Sequence, residues 1–306
     1  NLPKQKEFIT FIIEWQKTRV MRSVKAGALV LLMILSLTIP AMTSSLQEQN
    51  ASSGVSFSQT APSVVSDFLS LNSTGASAIQ AIDHHSSGAW AACAYFNGTV
   101  TPVDTLNSQV QQRESVGGED VLVFGGSTMM NITWVTHVRS TEDVNCRGLQ
   151  ILDHQRVVTF GTFQSSVQIG TSTKFGEGQK DGFLGVYNFT GQYWEDSAIF
   201  GGSGNDEIRD VVPVGSEFIA VGYSNSDLST DYSSILPSSA GDCSSTQCGF
   251  VVEFSSDLVA QDANVVTSDE GGVKLYQITD QNAQGASVIV GEFKGNLTLT
   301  GSSITG

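Results

Sequence analysis

The sequence predicts an all-β protein with the architecture of a β-propeller, and three observations support this prediction. Short apolar strands recur in sets of four along the chain, in the same order in each set. Glycine-rich and polar turns separate the strands of a set. A small residue also recurs at one position of every set, as Ala94, Gly161, Gly222 and Gly291, at intervals of 67, 61 and 69 residues. Four-stranded antiparallel sheets arranged radially, each packed face to face on the next, satisfy all three observations.

The clearest set spans residues 181–223. Its four predicted strands, which we number first to fourth, cover residues 181–187, 192–200, 207–214 and 217–223. The glycine turn Gly201–Gly204 separates the second strand from the third. A unit of this kind buries one face poorly by itself, so we expect equivalent neighbours to cover it.

Corresponding strands are predicted on both sides of this set. Further first strands lie at residues 120–124 and 248–254, and further second strands at 132–138 and, more weakly, 258–260. Third strands lie at 78–82, 148–152, 208–212 and 273–278, and fourth strands at 89–96, 157–163, 218–223 and 287–293. Because the third and fourth strands are dense in Val, Ile, Ala and Phe, we expect both of their faces to be covered, whereas the first two alternate more. The aligned small residues predict a close approach of neighbouring sheets.

The propeller is predicted to be partial. About three and a half units follow residue 76, whereas closed propellers have about 4–8 blades, so we expect three to four blades here and an incomplete C-terminal end. One or two β-sandwiches form the main alternative. A parallel β-helix is a weaker alternative, because its usual coil period is far shorter than this repeat.

Three segments of the clearest set carry a resemblance to a known family. They are Asp181–Leu184 (DGFL), Phe200–Asp206 (FGGSGND) and Phe218–Ser224 (FIAVGYS), with Trp194 between the first two. In these segments the chain resembles the β-propeller repeats of the SBBP type, which occur in large secreted prokaryotic surface proteins. The resemblance covers one repeat well and its neighbours partially, since Asp120 lacks the following glycine and Cys248 replaces the aspartate. It implies a secreted propeller and no single activity.

The N-terminal region has the order of regions found in a secretory signal peptide. A positive segment at residues 21–25 precedes an apolar run at 26–39 and a small, polar segment at 40–45. The apolar run is shorter than the roughly 20 residues that a spanning helix needs. We therefore expect a signal peptide helix from Met21 to about Ser44, removed near residues 41–46.

The chain divides accordingly into three predicted parts. Residues 1–44 form the leader, 45–75 a Ser/Thr-rich linker and 76–306 the propeller repeats. Within the leader, the apolar residues 8–15 indicate a short helix, to which we assign no function.

Charge limits the classes of partner. The chain carries 30 acidic and 15 basic residues, a formal net charge of −15. A field of this sign repels phosphate backbones and anionic lipid surfaces. We therefore expect an extracellular protein or glycan as partner, with no nucleic acid and no membrane insertion after signal cleavage.

The four cysteines fit an exported protein. Their number is even in a chain with a predicted signal peptide, which indicates disulfides. Cys243 and Cys248 are close enough to pair within one loop, and Cys93 could join Cys146. Zinc binding is a poor alternative, because no CxxC pair is present and the four histidines lack ligand spacing.

Six Asn-x-Ser/Thr triplets are candidate N-glycosylation sites, and several fall in predicted turns. They are Asn50, Asn72, Asn97, Asn131, Asn188 and Asn296.

Candidate chemistry is sparse. Residues 201–209 (GGSGNDEIR) match one calcium-binding nonapeptide, but that site is assembled from successive copies and the chain has one, so a tight turn is the main interpretation. Asp206 and Asp210 remain the candidate calcium ligands, and no other cofactor is predicted.

The turn Asp83–His85 is compatible with a metal or acid/base role, although polar residues are usual in such a turn. No GxSxG, HExxH or phosphate-cradling glycine loop is present.

Two functions from different classes follow. The favoured one is a secreted or cell-surface, non-catalytic binding or scaffold module that contacts protein or glycan through its loops. One such loop spans residues 224–249, where Tyr232, Ile235 and Leu236 lie among serines.

The alternative is an extracellular propeller enzyme, a polysaccharide lyase or hydrolase, with Asp83, His84 or Asp210 at third-strand ends. Adjacent acids such as Glu119–Asp120 and Asp269–Glu270 are expected in solvated turns, since a glycosidase pair must face each other across a substrate.

Overall fold

The computed structural model of the chain describes residues 11–16, 69–104, 110–127, 131–226, 229–230, 243, 246–279, 286–299 and 302–303. Within these ranges the chain forms strands and turns and no α-helix, so the predicted all-β class is confirmed. Accordingly, none of these ranges supplies a helix that could cross a membrane. The expected signal peptide helix lies outside the described residues.

Twenty-three strands occur in the described ranges. They are β1 (Phe11–Gln16), β2 (Ser70–Ser73), β3 (Ser77–His84), β4 (Trp90–Phe96), β5 (Thr99–Val103), β6 (Arg113–Glu114), β7 (Asp120–Gly126), β8 (Trp134–Arg139), β9 (Val144–Ile151), β10 (Arg156–Phe163), β11 (Ser166–Ile169), β12 (Ser172–Phe175), β13 (Asp181–Asn188), β14 (Tyr193–Gly201), β15 (Asp206–Val214), β16 (Glu217–Ser224), β17 (Ser229–Thr230), β18 (Cys248–Phe254), β19 (Ala260–Ser268), β20 (Lys274–Ile278), β21 (Ala286–Glu292), β22 (Leu297–Leu299) and β23 (Ser302–Ser303). Every predicted first, third and fourth strand has its counterpart here, and the weak second strand at 258–260 is replaced by β19.

The strands form five antiparallel sheets. The first sheet has the order β3-β4-β7-β8, with β11 and β12 added beyond β8. The second has the order β9-β10-β13-β14, with β17 added, and the third β15-β16-β18-β19, with β22 and β23 added. The fourth contains β20, β21 and β1, and a small fifth sheet contains β2, β5 and β6. Each of the first three sheets therefore repeats one meander of four strands.

The repeating unit is offset from the predicted one. The set at residues 181–223 does not form a single sheet, because β13 and β14 belong to the second sheet while β15 and β16 begin the third. The chain passes between sheets at the glycine turn, so each sheet runs in the order third, fourth, first, second strand. The strand pattern of the sequence does not show at which strand each sheet begins, because every strand is followed by another antiparallel strand.

Burial follows this order and corrects a second expectation. The fourth and first strands lie in the middle of each sheet, and β4, β7, β10, β13, β16 and β18 are buried along nearly their whole length. The third strands were expected to be covered on both faces, but they are edge strands and expose part of their length, as in β9 and β15. The first strands, expected to alternate, are the fully covered ones.

A β-bulge recurs in all four third strands. Each fourth strand skips one residue of its third-strand partner at the aligned small residue, and the extra residue is Gln80, Arg147, Arg209 or Tyr276. A β-carbon on Gly161 would lie 1.9 Å from the carbonyl oxygen of Asn145, and one on Gly222 equally close to that of Glu207. The small residue that recurs in each fourth strand therefore allows close approach within a sheet, at the bulge, in addition to any approach between sheets.

Consecutive sheets pack face to face through their third strands. Separate apolar clusters join the first sheet to the second, the second to the third and the third to the fourth. The residue before each bulge points at the preceding sheet: a β-carbon on Gly182 would lie 2.8 Å from Ile208, and one on Gly249 2.8 Å from Leu275. In the first sheet this position is Ile79, which is 38% exposed. The preceding face of this sheet is exposed along its β3 edge, whereas Ala92, Ala94 and Phe124 at its centre are buried in an apolar cluster with Val100 of the fifth sheet.

Two segments differ from the predicted domain plan. Of residues 8–15, expected to be helical, residues 11–15 belong to β1, which pairs antiparallel with β21 as the third strand of the fourth sheet, and residues 8–10 lie outside the described residues. The linker expected at 45–75 includes β2, which pairs with β5. Backbone pairing with a distant strand, which local propensity does not encode, decides both cases.

Candidate functional site

The bulges place polar side chains from consecutive sheets in one row. The third strands of neighbouring sheets contact each other along the chain, β3 with β9, β9 with β15 and β15 with β20. Their bulged residues therefore follow one another from sheet to sheet. We call the following side chains the third-strand row: Arg147, Glu207, Arg209, Tyr223, Lys274, Tyr276 and Glu292.

Glu207 is the centre of the row. Its Oε1 lies 2.5 Å from Nε of Arg147 on the second sheet and 2.7 Å from a terminal nitrogen of Arg209 on its own strand. Its Oε2 accepts a hydrogen bond from the hydroxyl of Tyr223, the residue directly opposite on β16. One carboxylate, buried to 8% exposure, thus orients two guanidinium groups from different sheets. The geometry is charge-assisted and fixes both arginines.

The tyrosines continue the row toward the fourth sheet. The guanidinium of Arg209 lies 5.4 Å from the ring centre of Tyr276, and the ammonium of Lys274 lies 5.3 Å from that of Tyr223. Lys274 also pairs with Glu292 at 3.6 Å. The contacts of Arg209 with Tyr276 and of Lys274 with Tyr223 have the geometry of cation–π interactions.

Neither tyrosine is prepared to act as a base. Burial and the bond to Glu207 raise the pKa of Tyr223 above its ordinary value of 10.0. Burial, together with a hydrogen bond to Glu292, raises the pKa of Tyr276 to about 12. Both hydroxyls therefore stay protonated near neutral pH and act as donors.

Two arginines of the row are partly exposed. The side chains of Arg147 and Arg209 are 38% and 31% exposed, and the buried Nε of Arg209 has no hydrogen-bond partner among the described residues. Oriented guanidinium groups beside tyrosine rings recognise planar carboxylates through paired hydrogen bonds. Sequence reasoning missed this row. Its signal was a large polar residue breaking the apolar pattern of each third strand.

Two aspartates named for the enzyme alternative accept hydrogen bonds from backbone amides. Asp83 accepts the amide of His84 through one oxygen and that of Ile151, on the second sheet, through the other. Asp210 likewise accepts the amides of Val211 and of Ile278 on the fourth sheet. Both aspartates thus join one third strand to the next.

The histidine turn closes on itself. His85 contacts Ser87 through Nδ1 at 2.9 Å, and the amide of Ser87 also reaches that nitrogen. His84 is exposed at the end of β3. The two rings are therefore turn residues beside Asp83, and the structure does not bring them to the third-strand row.

Asp206 is an anchor for two turns. Its carboxylate accepts hydrogen bonds from the amides of Gly202 and Asn225 and from the hydroxyls of Ser224 and Ser226. Burial raises its pKa in spite of these donors. Asp210, the other candidate calcium ligand, accepts the amides of Val211 and Ile278. The ranges that the structure describes contain no cluster of three or more His, Cys, Asp or Glu able to hold a metal.

Two equivalent aspartates begin first strands and are also buried. Asp120 accepts the amides of Ser140 and Val116, and burial raises its pKa to about 6. Asp181 is 2% exposed and accepts the amide of Gly178 through Oδ2, while Oδ1 has no partner among the described residues. Burial, and further the charge of Asp206, raise its pKa to about 6.

These raised values predict a pH dependence of stability. A carboxyl group whose pKa rises from 3.8 to about 6 on folding favours the folded state below pH 3.8, and this contribution is lost as the pH rises through about 6. Ionisation of the buried Asp181 carboxyl lowers the free energy of unfolding by up to about 3 kcal/mol, and we expect Asp181→Asn to remove this decrease. The free energy of unfolding of the variant, from urea denaturation, should therefore fall less between about pH 3.5 and pH 7 than that of the unchanged chain.

Asp257→Asn, at an exposed turn, is the matched control and should keep the pH dependence of the unchanged chain. Identical slopes for Asp181→Asn and Asp257→Asn would contradict this account of the buried carboxyl.

Both disulfides expected from the sequence form in the structure. Cys93 of the first sheet is bonded to Cys146 of the second, and Cys243 is bonded to Cys248 at the start of β18. No described cysteine is free. Disulfides of this kind are typical of an oxidising, extracellular compartment.

The sequons differ in setting. Asn72 and Asn97 are exposed and Asn131 is half-buried. The side-chain amides of Asn97, Asn188 and Asn296 donate to neighbours, namely Gly118, Glu195 and Asp269. Asn50 lies outside the described residues.

Most of the predicted contact loop at residues 224–249 lies outside the described residues, including Tyr232, Ile235 and Leu236.

The two adjacent acidic pairs differ in their surroundings. Asp120 is buried, whereas Asp269 accepts hydrogen bonds from Asn296 at an exposed turn, and these bonds lower the pKa of Asp269.

No model of a protein family matches the chain, and no curated protein matches it. The resemblance to SBBP repeats therefore stays a prediction.

Proposed function

We propose that the chain is an extracellular β-propeller that binds an acidic glycan through the third-strand row, as a non-catalytic binding or scaffold module. The observation that carries this proposal is the pair Arg147 and Arg209, from neighbouring sheets, held side by side on Glu207. The chain has a net charge of −15, so the two fixed guanidinium groups form a local cationic site on an acidic protein.

The sheet arrangement supports the propeller. The first three sheets repeat one four-stranded meander, third strands contact each other in chain order, and each sheet packs on the preceding one. In a ring, a further blade would cover the β3 edge of the first sheet, where Ile79 and Ile82 are 38% and 51% exposed. The third strands would then line the central channel.

The repeat supports a polymer as ligand. The positions of Arg147 and Arg209 are equivalent bulge positions of consecutive sheets, so the row offers similar contacts at regular steps. A chain of uronic acids presents carboxylates at regular steps, and its sugar faces suit the rings of Tyr223 and Tyr276. Guanidinium groups bind such carboxylates with paired, charge-assisted hydrogen bonds.

Binding of polygalacturonate oligosaccharides tests the proposal. We expect Arg147→Gln to weaken binding about tenfold, the loss of about 1.4 kcal/mol from one charge-assisted contact. Calorimetry or fluorescence titration of the full chain measures this. Binding should also weaken as salt rises, since the arginines are partly exposed.

Arg156→Gln is the matched control. Arg156 is 36% exposed, close to the 38% of Arg147, and pairs with Asp153 at a turn away from the row. The Arg156→Gln variant should bind the acidic oligosaccharide as tightly as the unchanged chain does. Equal losses in both variants, or no binding of the acidic oligosaccharide at all, would contradict the proposed ligand class.

The enzyme alternative has a separate readout. A lyase or hydrolase would shorten the oligosaccharide, and the shortening should stop in Tyr223→Phe or in variants of Asp83, His84 or Asp210. We expect no shortening, because both carboxylates of the row are already engaged, Glu207 by Arg147, Arg209 and Tyr223, and Glu292 by Lys274. Chromatography of the incubated oligosaccharide distinguishes the two functions.

A further inference from the structure

The outer edge of β21 holds the position that a first strand fills elsewhere. In the first three sheets the fourth strand pairs with the first strand in one register, so that the aligned small residue always faces a large apolar one. The facing pairs are Ala94 with Leu122, Gly161 with Phe183 and Gly222 with Phe250. In the fourth sheet β1 takes this place, and Gly291 faces Phe11.

The sequence of β1 matches a first strand position by position. Residues 11–15 read FIIEW, and residues 250–254 of β18 read FVVEF. Both segments place an aromatic residue, two aliphatic residues, a glutamate and a second aromatic residue in the same register against the fourth strand. The glutamates face Val288 and Ile219, three positions from the glycine in each case.

The glycine explains why this register is selected. A β-carbon on Gly161 would lie 2.9 Å from the ring of Phe183, and one on Gly222 would lie 2.6 Å from that of Phe250. Each glycine thus leaves the space that the facing aromatic ring uses. Gly291 is buried at the same position of β21, so its edge offers the same space.

We propose that the edge of β21 is a strand-acceptor site for an extended segment of the pattern aromatic-aliphatic-aliphatic-Glu-aromatic, and that residues 11–16 of the same chain fill it. Backbone hydrogen bonds to the open edge supply affinity, and the aromatic residue opposite Gly291 sets the register. Removal of the leader near residues 41–46 would detach β1. The site would then be open to another strand of this pattern.

Hydrogen exchange of the full chain tests occupancy. We expect the amides of β21 to be protected in the unchanged chain and at least tenfold less protected in Ile13→Pro, because proline disrupts the pairing of β1. Phe11→Ala is a second variant that keeps every backbone donor, and it should show a smaller loss of protection.

A synthetic peptide tests acceptance. The peptide FIIEWQ should bind the Ile13→Pro chain at least tenfold more tightly than the unchanged chain, whose site is filled, and should restore protection of β21. The same peptide with Ala in place of Phe11 should bind at least tenfold more weakly. Equal β21 protection in the unchanged and Ile13→Pro chains, or equal peptide binding to both, would overturn the proposal. Protection that depends on dimer formation would overturn its intramolecular part.

Discussion

Gly222→Ala is expected to lower the free energy of unfolding by about 4 kcal/mol. The added β-carbon would lie 1.9 Å from the carbonyl oxygen of Glu207 and 2.6 Å from the ring of Phe250. The carbonyl belongs to the bulged strand β15, and the ring is fully buried, so neither neighbour can move cheaply. Urea denaturation of the full chain measures the loss. Displacing Glu207 should also weaken oligosaccharide binding in the folded fraction.

Gly215→Ala carries the same chemical change in open space. No heavy atom lies within 4 Å of a β-carbon there, and the residue has a φ of +66°, so alanine should cost only about 1 kcal/mol of backbone strain. Gly161→Ala should behave like Gly222→Ala, because its β-carbon would meet Asn145 and Phe183 in the same way. Similar losses for Gly215 and Gly222 would refute the steric account of the bulge.

Replacing Cys93 and Cys146 together by serine is expected to cost about 4 kcal/mol. The bond joins the first sheet to the second and closes a loop with a sequence separation of 53 residues, so its absence greatly increases the freedom of the unfolded chain. Both sulfur atoms are buried in the apolar cluster between the two sheets, and buried serine hydroxyls add to the cost. Calorimetric melting temperature and urea midpoint should both fall.

The other disulfide provides the comparison. Cys243 and Cys248 are 5 residues apart, so replacing both by serine should cost about 2 kcal/mol. A larger loss from this pair than from Cys93 and Cys146 would show that loop closure does not govern the stabilisation.

The bulge connects stability to the candidate site. It turns Arg147, Arg209 and Tyr276 out of the regular alternation of their strands, and the small residue opposite makes this conformation possible. The residues that the repeat holds constant are therefore small and buried, whereas the residues that vary from sheet to sheet carry the polar chemistry. A repeated scaffold can in this way present different side chains at equivalent positions.

Several features could be predicted from the sequence because they are local. The aligned residues Gly161 and Gly222 identified the fourth strands, and the turn before Asp206 separated two strands as expected. The calcium interpretation of that turn stays a prediction, and the carboxylate of Asp206 accepts hydrogen bonds from four donors of its own turns. A sequence motif does not reveal which lone pairs of a carboxylate are already occupied.

The strands of the four-stranded sets, their order and their period could be predicted from the sequence, because side-chain alternation and turn glycines act between residues close in the chain. Which strands share a sheet, which of them are central, and that Glu207 holds arginines of two sheets became visible in the three-dimensional structure. Those outcomes depend on hydrogen-bond pairing and packing between strands from separate repeats. Pairing energy of this kind is a property of two segments together, so neither segment encodes it alone.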